Sequence, residues 1–451
     1  MKNKFSHLCI FIVCVFSLAI IFTLKNWEKR DRVIEWDIHG YYGYLPAKFI
    51  YDDIKLEKSN YQFAADYNLF WPIPVGDGKN AIHKTMGLSI LYSPFFFAGN
   101  TVAKWTEFPQ NGFSEPYKLF LLLSAVFYLF LGLELVRKTL IYLEFSEITS
   151  GITVLLLGLA TNLLAYSSQS APMMHVYNFF LIALFVYGTI RWHDTPNLKY
   201  SVITGAAAGL IAMIYVPNLI VIIFFLLIFY FKSRQLGGLA SFMNAHISKI
   251  LIILIAVVLV WIPQLWYWKV VTGKFFYSLP HDGKYFFTHP KFIDGLISWR
   301  KGWLIYTPLM TFAIAGILFL KDKVNYLKIP VLAFLVVNLF VVFSWWNWWY
   351  GGSFGQRALI DSYAIMAIPL AGCINFISRK NFVIKIGFAS LSLFLIWLNI
   401  FQTFQYEKNS LHYEAMTRKL YFKQFGHLEQ INDFNNYLVF PNYEEAKNGN
   451  R

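Results

Sequence analysis

At 451 residues, 57% hydrophobic and 14% charged, the chain is too apolar for a soluble protein, and its repeated apolar runs of about 20 residues match the hydrocarbon thickness of a bilayer. Its net charge of +14 is dispersed between those runs with no basic stripe, which excludes a nucleic-acid surface and points to inner loops and anionic headgroups. Cys9 and Cys14 lie in the first run and Cys373 in a late one, so a disulfide framework is excluded and no metal-ligand spacing exists.

The first run, 8–24, follows Lys2 and Lys4, which places the N-terminus in the cytoplasm. It lacks a small-residue cleavage site and reads as a retained span rather than a signal peptide. A long polar segment, 25–118, then lies outside. Within it, 87–103 is apolar but interrupted by Pro94 and Gly99, the pattern of an interfacial or re-entrant helix. Spans follow at 119–136, 151–166 and 175–190. The run 201–230 holds Pro217 and Asn218 at its middle and reads as two short helices with a tip at 215–218. The run 250–268 leads out to a second polar segment, 269–302. Runs at 303–320, 329–343, 363–377 and 386–404 complete the series and leave a polar external tail, 405–451.

The sum is an all-α polytopic membrane protein: a transmembrane domain over 1–404 with about 11 helices, a cytoplasmic N-terminus and an external C-terminus. Lys and Arg fall in nearly every loop this alternation puts inside. The large polar segments and the loop SSQSAPMMH, 167–175, then share the outer face.

That face carries the residues suited to chemistry. Glu35, Asp37 and His39 alternate, so an extended backbone would align them. Carboxylates just beyond a span suit a general base or a divalent ion, and equally a solvated acidic patch beside Lys29, Arg30 and Arg32. His175 opens a span. In 269–302, His281, Asp282, His289 and Asp294 have no defined metal-ligand spacing, while Arg300 and Lys301 sit where an anionic headgroup would lie. The stretch 344–361, SWWNWWYGGSFGQRALID, sets four Trp, a Gly-Gly pair, Arg357 and Asp361 after an apolar run. One reading is an aromatic belt with a snorkelling arginine. The other is a phosphate-binding corner, where glycines admit close approach and a guanidinium gives bidentate recognition.

Four places together resemble the GT-C superfamily of polytopic glycosyltransferases, which includes protein mannosyltransferases and lipid A aminoarabinose transferases. They are WDIHGYYGYLP after the first span, MMHVYNFF at the start of an inward span, the hairpin GAAAGLIAMIYVPN, and the late pair KGWLIYTP and WWYGGSFGQRALID. The resemblance implies transfer of a sugar from a polyprenyl-phosphate carrier to an acceptor hydroxyl by an inverting single displacement. It implies Asp37 as the catalytic carboxylate, with Glu35 beside it, and Arg357 on the donor phosphate with Arg300 or Lys301. His39, Tyr41, His175, Trp349 and Tyr350 become substrate-binding side chains. The implied partners are the lipid-linked donor, membrane lipid and a glycan, lipid or protein acceptor, and a divalent metal ion is the one cofactor left open. The implied location is a bacterial-type inner membrane, with the active face periplasmic. Two other readings stand beside it. A transporter or flippase expects charged or broken-helix sites near the midplane, where this chain is nearly free of charge. A ligase or polymerase would use diphosphate-linked donors.

Overall fold

The computed structural model describes residues 4–57, 70, 72–235, 237–277 and 283–451; Lys2, His281 and Asp282 lie outside them. Within the described residues, eight helical segments are long and apolar enough to cross a membrane, and three shorter apolar helices accompany them. The chain is a multi-pass, mainly helical membrane protein. Helices dominate because a bilayer offers no water to satisfy backbone groups, so each segment must pair its own.

The first span is α1 (Lys4–Leu24), followed by two short helices, α2 (Asp37–Tyr42) and α3 (Tyr44–Phe49). A hairpin, β1 (Pro72–Gly76) and β2 (Lys79–Ile82), pairs antiparallel with Pro72 opposite Ile82. The 87–103 segment is one continuous helix, α4 (Gly87–Trp105), lying along α5 (Glu115–Tyr142) despite Pro94. Gly99 permits that approach, since a Cβ there would sit 2.9 Å from the Tyr117 Cα.

The expected span 151–166 is split. It begins earlier as α6 (Glu147–Leu159), capped by the Ser146 hydroxyl accepting from the Thr149 N–H, and resumes as α7 (Leu163–Tyr166). Next come α8 (Met174–Asp194) and α9 (Leu198–Ile214). The chain breaks at Tyr215, and a 3-10 turn, Val216–Val221, starts α10 (Ile222–Gln235). Pro217 explains the break, because it supplies no N–H to continue the preceding helix.

The long helix α11 (Leu239–Thr272) packs on α9. A Cβ on Gly205 would come within 2.3 Å of the Ile253 carbonyl oxygen, so a small residue is what lets the two backbones approach. Then follow α12 (Phe292–Ile297), α13 (Trp303–Tyr306), α14 (Leu309–Gly316), α15 (Lys328–Ser344), α16 (Tyr363–Ser378) and α17 (Phe382–Glu407). The polar tail folds back as α18 (Arg418–Gln424) and α19 (Tyr443–Lys447). In the core, α8 lies between α5 and α9, α1 packs on α5 and α6, and α16 packs on α6, α8 and α14.

Candidate active site

The chain leaves α1 through a left-handed Lys25 and a 3-10 turn, Asn26–Glu28, before reaching Glu35 and Asp37. Val33 and Trp36 both hold positive φ, 78° and 49°, which is uncommon for residues with a Cβ and marks a backbone constrained by its surroundings. The extended alignment of Glu35, Asp37 and His39 does not occur. The Ile38 N–H donates to the Glu35 carbonyl at 3.0 Å, and α2 starts at Asp37. The helix wins because it buries Ile38, Tyr41 and Tyr42. Glu35 and Asp37 nonetheless line one cavity of about 610 Å³, while His39 does not.

Asp37 is met by Lys84, whose Nζ lies 3.0 Å from its Oδ1. The hairpin delivers that lysine: the Ile82 N–H donates to the Tyr267 hydroxyl at 2.8 Å, and the Tyr44 hydroxyl donates to the Lys84 carbonyl at 2.6 Å. Burial alone would raise the Asp37 carboxyl. The Lys84 ammonium, followed by the Arg357 guanidinium, overcomes it and holds the group below the usual aspartate range. Glu35 shifts the other way: burial raises it, Arg32 opposes, and Glu407 and Asp31 add to the rise. Tyr41 is buried under Lys84, whose Nζ lies 5.8 Å from the ring centre, and burial pushes its hydroxyl up to about 12. Its hydroxyl donates to the Met174 sulfur at 3.3 Å.

The opposite charge arrives on the segment after α15. Tyr350 and Gly351 take successive positive φ values of 56° and 61°, turning the chain back into the molecule. Buried donors then fix it. The Phe354 N–H donates to the Tyr166 hydroxyl at 3.3 Å, Asn162 Nδ2 to the Phe354 carbonyl at 3.2 Å, and Gln356 Nε2 to the Trp348 carbonyl at 3.0 Å. Arg357 opens a 3-10 turn, Arg357–Ser362, and lines the cavity. No described side chain forms an ion pair or hydrogen bond with its guanidinium. It is a cation held in place and available to an anion.

The other sequence candidates lie around this centre. Lys301 is buried and donates to the Ser353 carbonyl and, at 3.0 Å, to the Ser353 hydroxyl. Burial, with Arg357 and Arg300 adding, holds its ammonium well below the usual lysine range. Arg300 donates to the Glu414 carbonyl at 3.0 Å and lies over the Trp349 ring. Neither lines the cavity; both hold loops that do. His175 is buried with its Nδ1 3.1 Å from Asp361 Oδ1, while Asn178 and Asn218 donate to Asp361 Oδ2 at 3.1 and 2.6 Å. Trp349 is buried beside α19, against Tyr443. The Tyr350 hydroxyl donates to the Val342 carbonyl at 3.1 Å.

Lys84, Tyr406, Glu407 and Glu414 were not singled out in the sequence. Lys84 carries no motif, and Glu407 resembles any charge at the end of a span. The tail supplies a wall of the cavity through Tyr413, Glu414 and Tyr443, and the Tyr443 hydroxyl donates to Glu414 Oε2 at 2.5 Å. Among the described residues no group of three or more His, Cys, Asp or Glu is placed to hold a metal ion. Asp37 already faces an ammonium, that of Lys84.

No protein-family model and no curated protein sequence matches the chain. Solved structures do resemble it. One is the archaeal oligosaccharyltransferase AglB from Archaeoglobus fulgidus, in complex with an inhibitory peptide and a dolichol-phosphate. It has a TM-score of 0.53 and 13% identity, covering 97% of this chain and 60% of that one. Another is ArnT from Cupriavidus metallidurans in the apo state, with a TM-score of 0.45 and 12% identity, covering 82% of this chain and 60% of that one. The chain therefore spans about 60% of the length of the AglB chain it matches. With that likeness added to its span pattern, the chain has the fold of the GT-C glycosyltransferases.

Proposed function

We propose that the cavity is the active site of a membrane glycosyltransferase that moves a sugar from a polyprenyl-phosphate carrier to an acceptor hydroxyl at the outer face. The observation that carries this reading is that Asp37 and Arg357, whose guanidinium makes no ion pair or hydrogen bond with any described side chain, line one cavity. The walls come from segments at helix ends, 26–38, 166–173, 352–357 and 406–443, not from mid-span charges of the kind a transporter uses.

The chemistry follows from the charges. As the bond between the anomeric carbon and the phosphate oxygen breaks, the electron pair moves to that oxygen. A guanidinium fixed beforehand beside it stabilises the transition state more than the ground state. The acceptor hydroxyl attacks the opposite face, which inverts the anomeric centre, and its proton passes to the Asp37 carboxylate. A carboxylate held low is ionised at neutral pH but weakly basic. Proton capture therefore comes late, when bonding to carbon has made the acceptor oxygen acidic. Lys84 orients that carboxylate, and Lys301 and Arg300 hold the loops on either side.

Binding of a polyprenyl monophosphate to the full chain in detergent tests the donor half. Arg357→Ala is expected to weaken it about tenfold to a hundredfold, the range for losing charge-assisted hydrogen bonds. Unchanged binding in that variant would remove Arg357 as the phosphate site.

A further inference from the structure

One basic side chain near Arg357 is buried without a counter-ion. Lys301 is 1% exposed, and among the described residues no carboxylate forms an ion pair with its Nζ. Its partners are the carbonyl and, at 3.0 Å, the hydroxyl of Ser353. A neutral amine satisfies both as well as an ammonium does, since a hydroxyl can donate or accept. The charged groups that face Lys301 are Arg357, Glu414 and Arg300, two guanidiniums against one carboxylate. That carboxylate already accepts from the Tyr443 hydroxyl. His412 also faces Lys301, and burial pushes its imidazole down to about 4. A lysine taken out of water without an ion pair sheds its proton sooner than it bears the cost of a buried charge. Its place matters because of Ser353. That residue lies between Gly351 and Gly355, which both hold positive φ, and its N–H donates to the Tyr413 carbonyl at 3.2 Å. Gly352 and Arg357, on either side of Ser353 in the chain, line the cavity, while Lys301 does not. Lys301 therefore stands behind the wall that presents Arg357.

We propose that Lys301 is uncharged while this corner is empty and takes up a proton when an anion binds at Arg357, so that anion binding and protonation are linked. The anion offsets the repulsion from the guanidinium and adds an attraction of its own, and both favour the ammonium. The proton comes from solvent and joins the Nζ lone pair; no bond to the anion forms or breaks. In the transfer reaction the charge gained lies behind the phosphate oxygen that receives the electron pair, where it stabilises the transition state. The coupling rests on the reading of Arg357 as the phosphate site, and the experiment separates the two.

The probe is a polyprenyl methyl phosphate, a phosphodiester whose single charge does not titrate in the range used. Isothermal titration calorimetry on the full chain in detergent, in two buffers of different ionisation enthalpy, counts the protons taken up per anion bound. The wild type is expected to approach one proton per anion at neutral pH and to fall towards none above the usual lysine range. Over that window the affinity should weaken by up to about tenfold per pH unit as pH rises, because the bound state holds the extra proton. Lys301→Met is expected to bind about tenfold more weakly and to take up none. Should that variant fail to fold, Lys301→Arg keeps donors and a charge that does not titrate, and its count should also be zero. Ser353→Ala, which loosens the turn and leaves the amine in place, should keep the uptake. A merely structural Lys301 would lower affinity in Lys301→Met with no uptake by the wild type. A wild-type count of zero at every pH from neutral to the lysine range, or an equal count in Lys301→Met, would overturn the proposal. With binding lost in Arg357→Ala, that result would sink the coupling alone and leave the phosphate site standing. Unchanged binding in Arg357→Ala, or no binding to the wild type, would sink both.

Discussion

Asp37 and Glu35 stand two positions apart and shift in opposite directions because different neighbours surround them. Both are partly buried, but Asp37 has Lys84 at 3.0 Å and Arg357 nearby, whereas Glu35 has Glu407 and Asp31 set against a single Arg32. This gives a way to decide which is the base. A base must be ionised, so activity falls as pH drops through its pKa. If Asp37 serves, the acid limb of kcat/KM for donor turnover lies below the ordinary aspartate range; if Glu35 serves, it lies above the ordinary glutamate value. Lys84→Met removes the first cation that opposes burial, so the limb should move up in pH while the Glu35 reading predicts no movement. A pH–rate series on the two proteins checks both statements. The sequence displayed the two carboxylates but not Lys84, since nothing near position 84 announces a partner 47 residues earlier; that contact exists only once the hairpin and α2 have docked.

At the scale of elements, the candidate cation depends on how its turn is held. Asp361 closes the 3-10 turn that begins at Arg357 and gathers His175, Asn178 and Asn218 from two other elements. Asp361→Ala leaves those donors unmet in the interior and is expected to cost on the order of 2–4 kcal/mol. Thermal unfolding in detergent measures that loss; the more conservative Asp361→Asn should fall between it and the wild type. Gly205→Leu is expected to do similar damage by another route, because its Cβ would meet the Ile253 carbonyl and push α9 from α11, at about 1–3 kcal/mol. An unchanged unfolding temperature in Gly205→Leu would mean the two helices do not pack as described. His175 was marked as a substrate-binding residue by the resemblance, through the motif MMHVYNFF, and not by its position at the start of a span. Its neighbour in space, Asp361, is 186 positions away, and spacing cannot disclose such a pair. The Trp-rich stretch was likewise legible as an unusual surface, but not that α19 covers Trp346, Trp348 and Trp349.

Across the whole molecule, the fold was largely readable because a bilayer imposes one rule on every segment: a helix of sufficient apolar length. The apolar runs fall on helices, and the Pro217 tip falls where the chain breaks. Segment ends were less visible, as in the split between α6 and α7, where apolar composition continues through an irregular turn. The expected grouping of unusual residues is met in part, since 269–302 contributes no described residue to the cavity lining. Segments 26–38, 166–173, 352–357 and 406–443 do meet around one cavity, though the tail's part in its wall left no pattern to find. The central claim is that Asp37 and Arg357 act together in one transfer. It is tested most directly by release of sugar from a panel of radiolabelled polyprenyl-phosphate sugars, in membranes holding equal amounts of wild type, Asp37→Asn or Arg357→Ala. The wild type is expected to turn over one donor, and each variant to lose at least about a hundredfold of that rate. Turnover by Asp37→Asn at the wild-type rate would contradict it.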